Sequence, residues 1–263
     1  MDRAEQNALA QQFAAMHNPK DLLMLCNAFD GGSARAIASN PRAKAIASAS
    51  YAAAIVSGSA DDDLTLDDNL AAVRGIIAAG VRATPKKPVT IDLQDGYGDQ
   101  LARAIEEIIK LGAVGCNIED FDRRTNALWS VDEAAARVAL AKKVAARCGV
   151  PDFVVNARCD ALFQGADAGM DSVIRRGKTY LAAGATTVFV WGGGGGRGVS
   201  SSEIKRLVDE FGGMLNVSMI QGEGFLKKDQ IQALGVARVS MGPGLYIKAL
   251  KAFSSEVDAI LGV

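Results

Sequence analysis

From residue 22 onward the chain alternates between two hydrophobic rhythms. Short runs that are apolar or alternate with period two predict strands, and longer stretches with apolar residues three and four apart predict helices. A prelude precedes them: in residues 3–17, Ala4, Leu9, Ala10, Phe13 and Ala14 fall at helical spacing, and Asn18-Pro19 ends the segment. Strands are then predicted at 22–27, 43–49, 88–94, 115–118, 153–158, 187–191, 215–219 and 238–241. Helices are predicted near 30–39, 67–79, 101–111, 131–147, 171–183, 202–210, 228–234 and 245–253. Between them, the small-residue segment 51–56 leads into an acidic loop, GSADDDLTLDD. Eight strand-helix alternations within 263 residues match a (β/α)8 TIM barrel in count and length. A doubly wound open sheet is the rival, but it would need fewer strands for this length, and no linker or composition shift divides the chain. One barrel domain over residues 1–263, with the helix at 3–17 in front, is therefore expected.

Composition narrows the chemistry more than it narrows the fold. With 49% hydrophobic residues, 22% charged residues and a net charge of −1, the chain can bury a large core and has no electrostatic case for nucleic acid or an anionic membrane. No apolar run approaches membrane-spanning length and no signal-peptide pattern opens the chain, so a cytoplasmic protein is expected. Cys26, Cys116, Cys148 and Cys159 are far apart without a CxxC pair, which suits core packing in a reducing compartment. His17 is the only histidine and precedes every strand, so catalytic dyads built on histidine and histidine-rich metal sites lose support. Oxygen-ligand chemistry with a hard cation such as Mg²⁺ or Mn²⁺ is what remains.

The candidate site follows from asking which polar side chains share the inward phase at the carboxyl ends of the strands, where barrel active sites are built. In PVTIDLQDGYGD (residues 88–99) Asp92 and Gln94 alternate with Ile91 and Leu93, and an aspartate facing inward needs a cation or strong donors to offset its desolvation. The same phase collects Asn117 and Glu119, Asn156 and Arg158, Asn216 and Ser218, and Asn27. Asp92 and Glu119 would hold a divalent cation directly or through its waters. Arg158 would make a two-point pair with a substrate carboxylate or phosphate. A cation that polarises a keto oxygen on the same anion stabilises an enolate, the intermediate that C–C cleavage next to a 2-oxo acid requires.

The segments NAFDGGSARAIA (27–38), ASASYAAAIV (47–56), TIDLQDGYGD (90–99), GCNIEDF (115–121), NARCDAL (156–162) and GVARVSMGPGLY (235–246) together resemble the isocitrate lyase and phosphoenolpyruvate mutase superfamily. The resemblance covers nearly the whole chain. It implies a (β/α)8 barrel whose last helix is exchanged between partners in a homodimer or homotetramer, with Mg²⁺ and a small anionic 2-oxo or 2-hydroxy acid as substrate. By the same resemblance Asp92 is the direct metal ligand, Glu119 holds metal-bound water and Asp61 is a third acid near the metal. Arg158 grips substrate, and the backbone N–H groups of Ser50 and Tyr51, with Ser48 and Ala49 beside them, receive its carboxylate or phosphonate. Read from composition alone, Asp62 and Asp63 belong to a solvated charge run.

Departures from the family pattern redirect the function. Gln94 stands where a second acid follows the metal-binding aspartate, with an acid displaced to Asp95; glutamine can still accept hydrogen bonds from metal-bound water. The lyases' cysteine-bearing KKCGH segment is replaced by IEDFDRRTNALW, which removes support for isocitrate or methylisocitrate lyase activity. Trp191 occupies the place of a mutase histidine near the end of the sixth strand, which weakens P–C chemistry. WGGGGGRG after that strand lacks the GK[ST] of a phosphate loop and reads as a mobile loop with a lid role rather than an anion cradle. The expectation is a Mg²⁺-dependent lyase or hydrolase acting on an oxaloacetate-like acid, with Arg158, Asp61 and Glu119 as catalytic residues, Ser48, Ser50, Tyr51, Arg158 and Asn216 as substrate-binding residues, and Asp92, Glu119, Asp61 and Gln94 at the metal. Phosphonopyruvate or phosphoenolpyruvate chemistry, and a barrel that binds an oxo-acid without turning it over, are the alternatives.

Overall fold

A computed structural model describes residues 1–193 and 197–262. Residues 194–196 of the glycine run read as a lid lie outside the described residues. Eight parallel strands close into a barrel: β1 (Leu23–Ala28), β2 (Ile46–Ser48), β3 (Val89–Asp92), β4 (Gly115–Glu119), β7 (Val154–Cys159), β8 (Thr187–Val190), β9 (Leu215–Ser218) and β10 (Arg238–Ser240). The two remaining strands, β5 (Phe121–Asp122) and β6 (Ala127–Leu128), pair antiparallel as a small hairpin after β4. The helices are α1 (Arg3–Ala15), α2 (Gly31–Ala38), α3 (Ser50–Val56), α4 (Leu66–Arg82), α5 (Leu101–Leu111), α6 (Val131–Arg147), α7 (Met170–Ala182), α8 (Ser201–Phe211), α9 (Lys228–Ala233) and α10 (Gly244–Leu261). The fold is the (β/α)8 barrel that the alternation predicted.

Each helix of the outer ring carries one apolar stripe toward the strands. In α5 the buried residues are Leu101, Ala104, Ile105, Ile108 and Ile109, the i, i+3, i+4, i+7, i+8 set of an amphipathic helix, and Gly112 ends it in a left-handed C-cap. Capping boxes on Asp30, Ser130 and Ser200 start α2, α6 and α8 by satisfying orphan N–H groups. Close helix–sheet contact needs Gly80 in α4, where a Cβ would stand 2.3 Å from Val89 Cγ2. α10 differs from the others: none of its residues is buried, and Ile247, Leu250, Phe253, Ile260 and Leu261 are exposed.

The floor and wall of the barrel set up the site. α1 lies across the amino-terminal ends of the strands, with Gln6 Nε2 donating to the carbonyls of Ile109 and Ala113. Phe13 enters because residue 115 is glycine; a Cβ there would meet Val154 O at 2.9 Å and Phe13 Cε1 at 3.0 Å. Inside, the layers are polar where barrels usually pack branched aliphatics. Asn156 Nδ2 donates to Asn117 Oδ1 at 2.8 Å and Thr187 Oγ1 donates to Asn156 Oδ1 at 2.6 Å, a ladder across three neighbouring strands. A core of amides in place of methyl groups leaves the upper barrel able to hold a polar guest.

Several boundaries moved for local physical reasons. The second strand contracts from 43–49 to Ile46–Ser48, and the small-residue segment after it is helix α3. The third strand ends at Asp92 because Gln94 turns into the left-handed region, φ 51°, where a strand cannot continue. α4 and α10 run on to Arg82 and Leu261. The hairpin of β5 and β6 was not anticipated.

Candidate active site

The carboxyl ends of the strands surround a cavity of about 380 Å³. Asn27, Ser48, Asp92, Asn117, Glu119, Asn156, Arg158, Asn216 and Ser218 all line it, so the residues that alternation placed inward do share one space. Ser50, Tyr51 and Asp61 reach its rim. Gln94 is the exception. Its left-handed turn takes the side chain away from the cavity wall, and Nε2 donates to Asp61 O at 2.8 Å and to Asp61 Oδ1 at 3.0 Å. Asp95, the displaced acid, does not enter either: its carboxylate accepts from Tyr97 N and closes the turn.

Asp92 is held from both sides. Ser50 N–H donates to Oδ2 at 3.0 Å, Asn117 Nδ2 donates to Oδ1 at 3.0 Å, and Asp92 N–H donates to Ser48 Oγ at 2.9 Å. The Ser50 amide, which the family resemblance assigns to substrate, is thus engaged by the carboxylate. Oδ1 also accepts from Gln94 N–H at 3.4 Å, so Oδ2 is the oxygen that keeps lone-pair capacity.

Glu119 sits between two guanidinium groups. Arg123 Nε donates to Oε1 at 2.9 Å, and Arg158 Nη1 stands 2.8 Å from Oε2. No directed hydrogen bond reaches that second oxygen, although it is fully enclosed. Burial raises the carboxyl well above the usual range, against the opposing pull of Arg158 and Arg123. Desolvation is the dominant cause because its side chain is only 2% exposed.

Arg158 makes its two-point pair with protein rather than with open space. Nε and Nη2 donate to the two oxygens of Asp160 at 2.6 and 2.7 Å. Its guanidinium lies 4.9 Å from the Trp191 ring centroid, so the tryptophan supports the arginine by cation–π contact. Burial lowers the Arg158 pKa, but the stronger combined pull of Asp160 and Glu119 raises it, and it stays a fixed cation. Two of its five N–H donors bond Asp160 and a third approaches Glu119, which leaves donors for one further anion. Behind it, Asp160 N–H donates to Asp120 Oδ1, and Asp120 Oδ2 accepts from Tyr180 Oη at 2.6 Å and Arg176 Nη1 at 3.3 Å.

Three site residues escaped the sequence reading. Asp160 continues the inward phase of Asn156 and Arg158 and was one step from inclusion. Arg123, on the unanticipated hairpin, bridges Glu119, Asp61 at 3.2 Å and Asp62 at 2.7 Å. Arg238 lines the cavity in phase with Ser240, and the alternation of its strand was the signal available. The four cysteines are free; Cys116 and Cys159 are buried and burial lifts their thiols far from reactivity, as core packing requires.

Whether a hard cation fits depends on how many protein ligands it needs. Among the described residues no three His, Cys, Asp or Glu side chains cluster into a cage. Both Asp61 oxygens are already engaged, by Gln94 and Arg123. A Mg²⁺ ion needs less, because it keeps most of its water and takes one or two carboxylates. Asp92 offers that carboxylate, and Glu119 lines the same cavity.

A closed parallel barrel whose carboxyl-terminal mouth gathers acids, amides and guanidinium groups has the architecture of a (β/α)8-barrel enzyme. Residues 13–261 match the sequence model of phosphoenolpyruvate phosphomutase, and the chain belongs to that family, within the isocitrate lyase/PEP mutase superfamily. An uncharacterized protein of Mycobacterium tuberculosis (strain ATCC 25618 / H37Rv) is 31% identical over 73% of this chain and 70% of its own. The 2-methylisocitrate lyase of Escherichia coli (strain K12) is 36% identical over 48% of this chain and 42% of that enzyme. A crystal structure from Burkholderia cenocepacia J2315, provisionally named a phosphonomutase, superposes with TM-score 0.85 at 33% identity, covering 97% of this chain and 99% of that one. The relatives that carry activities in their names are carbon–carbon lyases and mutases.

Proposed function

We propose that this protein is a Mg²⁺- or Mn²⁺-dependent enzyme that cleaves the C–C bond next to the carbonyl of a small 2-oxo or 2-hydroxy acid, oxaloacetate-like in size and charge. The observation that carries the reading is the meeting of Asp92, Glu119 and Arg158 on one cavity lined with amides. A divalent cation held at Asp92, with its water on Glu119, would supply Lewis-acid stabilisation of charge on the substrate oxygen. Arg158, fixed by Asp160 and Trp191, presents its remaining N–H donors to a substrate carboxylate. Glu119, raised by burial, is suited to hold a proton near neutrality. Asn117 orients Asp92 by hydrogen bonding and is itself held by Asn156, and the enclosing wall excludes bulk water from the cleaved bond.

The oligomer belongs to the same proposal. A terminal helix that buries none of its residues and exposes five large apolar side chains supports an exchange of α10 with a partner copy in a homodimer or homotetramer. Among the described residues no helix is long and apolar enough to cross a membrane, and free cysteines suit the cytoplasm.

A second reading is favoured by one observation: Arg123 pairs with both Asp61 and Glu119, which lowers the net negative charge offered to a cation, and Gln94 occupies an Asp61 oxygen. Under it the barrel binds an oxo-acid without turnover. Calorimetry and product analysis with oxaloacetate, 2-hydroxy diacids and phosphonopyruvate, with and without Mg²⁺, separate the readings. Turnover that needs Mg²⁺ and is lost in Asp92→Ala is expected. Binding without turnover supports the binder, and phosphate or P–C products support the mutase alternative. An Asp92→Ala protein that keeps both Mg²⁺ binding and turnover would overturn the proposal.

A further inference from the structure

The arginine of the hairpin stands where the water shell of a metal at Asp92 would have to go. Arg123 Nε donates to Glu119 Oε1 at 2.9 Å and Nη2 donates to Asp61 Oδ2 at 3.2 Å. Nη1 reaches Asp61 O at 3.3 Å and Asp62 Oδ1 at 2.7 Å. The other Glu119 oxygen, Oε2, is fully enclosed and lies against Arg158. Any water that Glu119 holds for a cation is therefore accepted at Oε1, the oxygen that Arg123 occupies. The same guanidinium covers one Asp61 oxygen, and Gln94 covers the other. A permanent positive charge at that place competes with a divalent ion for acceptors and repels it besides.

The surroundings let this one side chain move while its neighbours stay. The hairpin is fastened without it: Phe121 pairs with Leu128 and Asp122 with Ala127, and the Asp122 carboxylate accepts from Arg124 N–H at 3.0 Å and from Thr125 Oγ1 at 2.8 Å. Asp61 keeps its bonds from Gln94. Arg123 lines the active-site cavity on one side and, on the other, a hollow of about 770 Å³ that Asp62, Thr65, Gln100 and Trp129 also line. Asp62 is 91% exposed and already bonded to Nη1, so it offers the guanidinium a seat on the outer side. The inner seat, on Glu119 and Asp61, can be given up while the outer one is kept.

We propose that Arg123 is a resident cation that a divalent ion must displace. It neutralises Glu119 and Asp61 in the metal-free protein, and it swings to Asp62 and the outer hollow when those acids receive the ion's waters. Arg123 is then a positioning residue that sets the affinity for the ion, which rests on the metal reading above. The sign of the effect separates it from a strut. Removing a strut that arranges the acids weakens metal binding, whereas removing a competitor strengthens it.

The test is titration of the metal-free full chain with Mn²⁺, without substrate, the free ion being read by electron paramagnetic resonance. Arg123→Met should bind Mn²⁺ about 10- to 100-fold tighter than wild type, the effect of removing one nearby like charge and freeing two acceptors. At one fixed Mg²⁺ concentration the variant should also gain more in melting temperature than wild type does. Adding Asp92→Ala should abolish the gained affinity. If Arg123→Met does not fold, phenylglyoxal labelling of the wild-type chain carries the test. Mg²⁺ should then raise the rate at Arg123, 21% exposed, at least about 3-fold, while Arg124, 76% exposed, stays within about 2-fold. Binding by Arg123→Met no tighter than by wild type, a gain that survives Asp92→Ala, or labelling at Arg123 that Mg²⁺ leaves unchanged or slows would overturn the displacement alone. Binding of Mn²⁺ by neither protein would overturn the metal reading itself.

Discussion

Replacing Arg123 by methionine keeps an unbranched apolar stem and removes a cation that three carboxylates share. Glu119 is the costly partner, because its side chain is 2% exposed and Arg123 supplies the directed bond to Oε1 at 2.9 Å. A hydrogen bond to a buried charge is worth about 1.5–3 kcal/mol. Asp61, 25% exposed and 3.2 Å away, adds about 0.5–1 kcal/mol, and Asp62, 91% exposed, adds nothing measurable. The expected loss is therefore about 2–4 kcal/mol. With an unfolding entropy near 2.1 cal/mol/K per residue, a chain of 263 residues loses about 0.55 kcal/mol per degree, so the melting temperature should fall by about 4–7 °C. Scanning calorimetry on wild type, Arg123→Met, Glu119→Gln and the double variant gives both the fall and the coupling. The coupling between Arg123 and Glu119 should be at least about 1.5 kcal/mol. A melting temperature within a degree of wild type, together with a coupling under about 0.5 kcal/mol, would show that the hairpin arginine neither neutralises the buried glutamate nor holds the acidic loop.

Two further outcomes follow from buried and exposed extremes of the fold. His17 is buried, its Nδ1 is 2.8 Å from Phe13 O, and desolvation followed by the nearby Arg238 charge lowers its pKa from 6.5 to about 3. The unfolded chain binds the extra proton between those values, so stability is fully present above about pH 6.5 and falls toward pH 3 at up to about 1.4 kcal/mol per unit. Urea unfolding of His17→Gln should show a flatter dependence between pH 4.5 and 6.5, and parallel slopes would refute the assignment. Glutamate at Ile247 and Phe253 on α10 should leave the barrel's melting little changed and reduce the mass seen by light scattering to one chain. A wild-type protein that is already monomeric would remove the case for exchange of that helix.

Much of the barrel could be read before any coordinates, because strand alternation and helical spacing are local signals. Asn117 with Glu119, and Asn156 with Arg158, were legible as inward pairs since polar residues interrupt otherwise apolar strands at period two. Gln94 was misplaced because the period was carried past the residue where the backbone turns left-handed; Asp95-Gly96 marks a turn, but not that it begins one residue earlier. The interactions that set the charge of the site were the least legible. Arg123 acts through a two-residue hairpin too short to show a rhythm, and Asp160 acts by clamping a neighbour on its own strand. Arg238 was visible in phase but lay deeper than the carboxyl-terminal ends where attention falls. Spacing along the chain reveals which way a side chain faces; it does not reveal which partner it reaches.

The helix that stoppers the amino-terminal end of the barrel has a kinetic consequence. With Phe13 seated at Gly115, the described residues close the amino-terminal end of the well, and what enters at the carboxyl-terminal mouth leaves past the acids and Trp191. A reaction that splits one molecule into two therefore releases its fragments in sequence, the shallow one before the deep one. Product inhibition should be competitive for the fragment lodged lowest and of a different pattern for the one nearest the doorway.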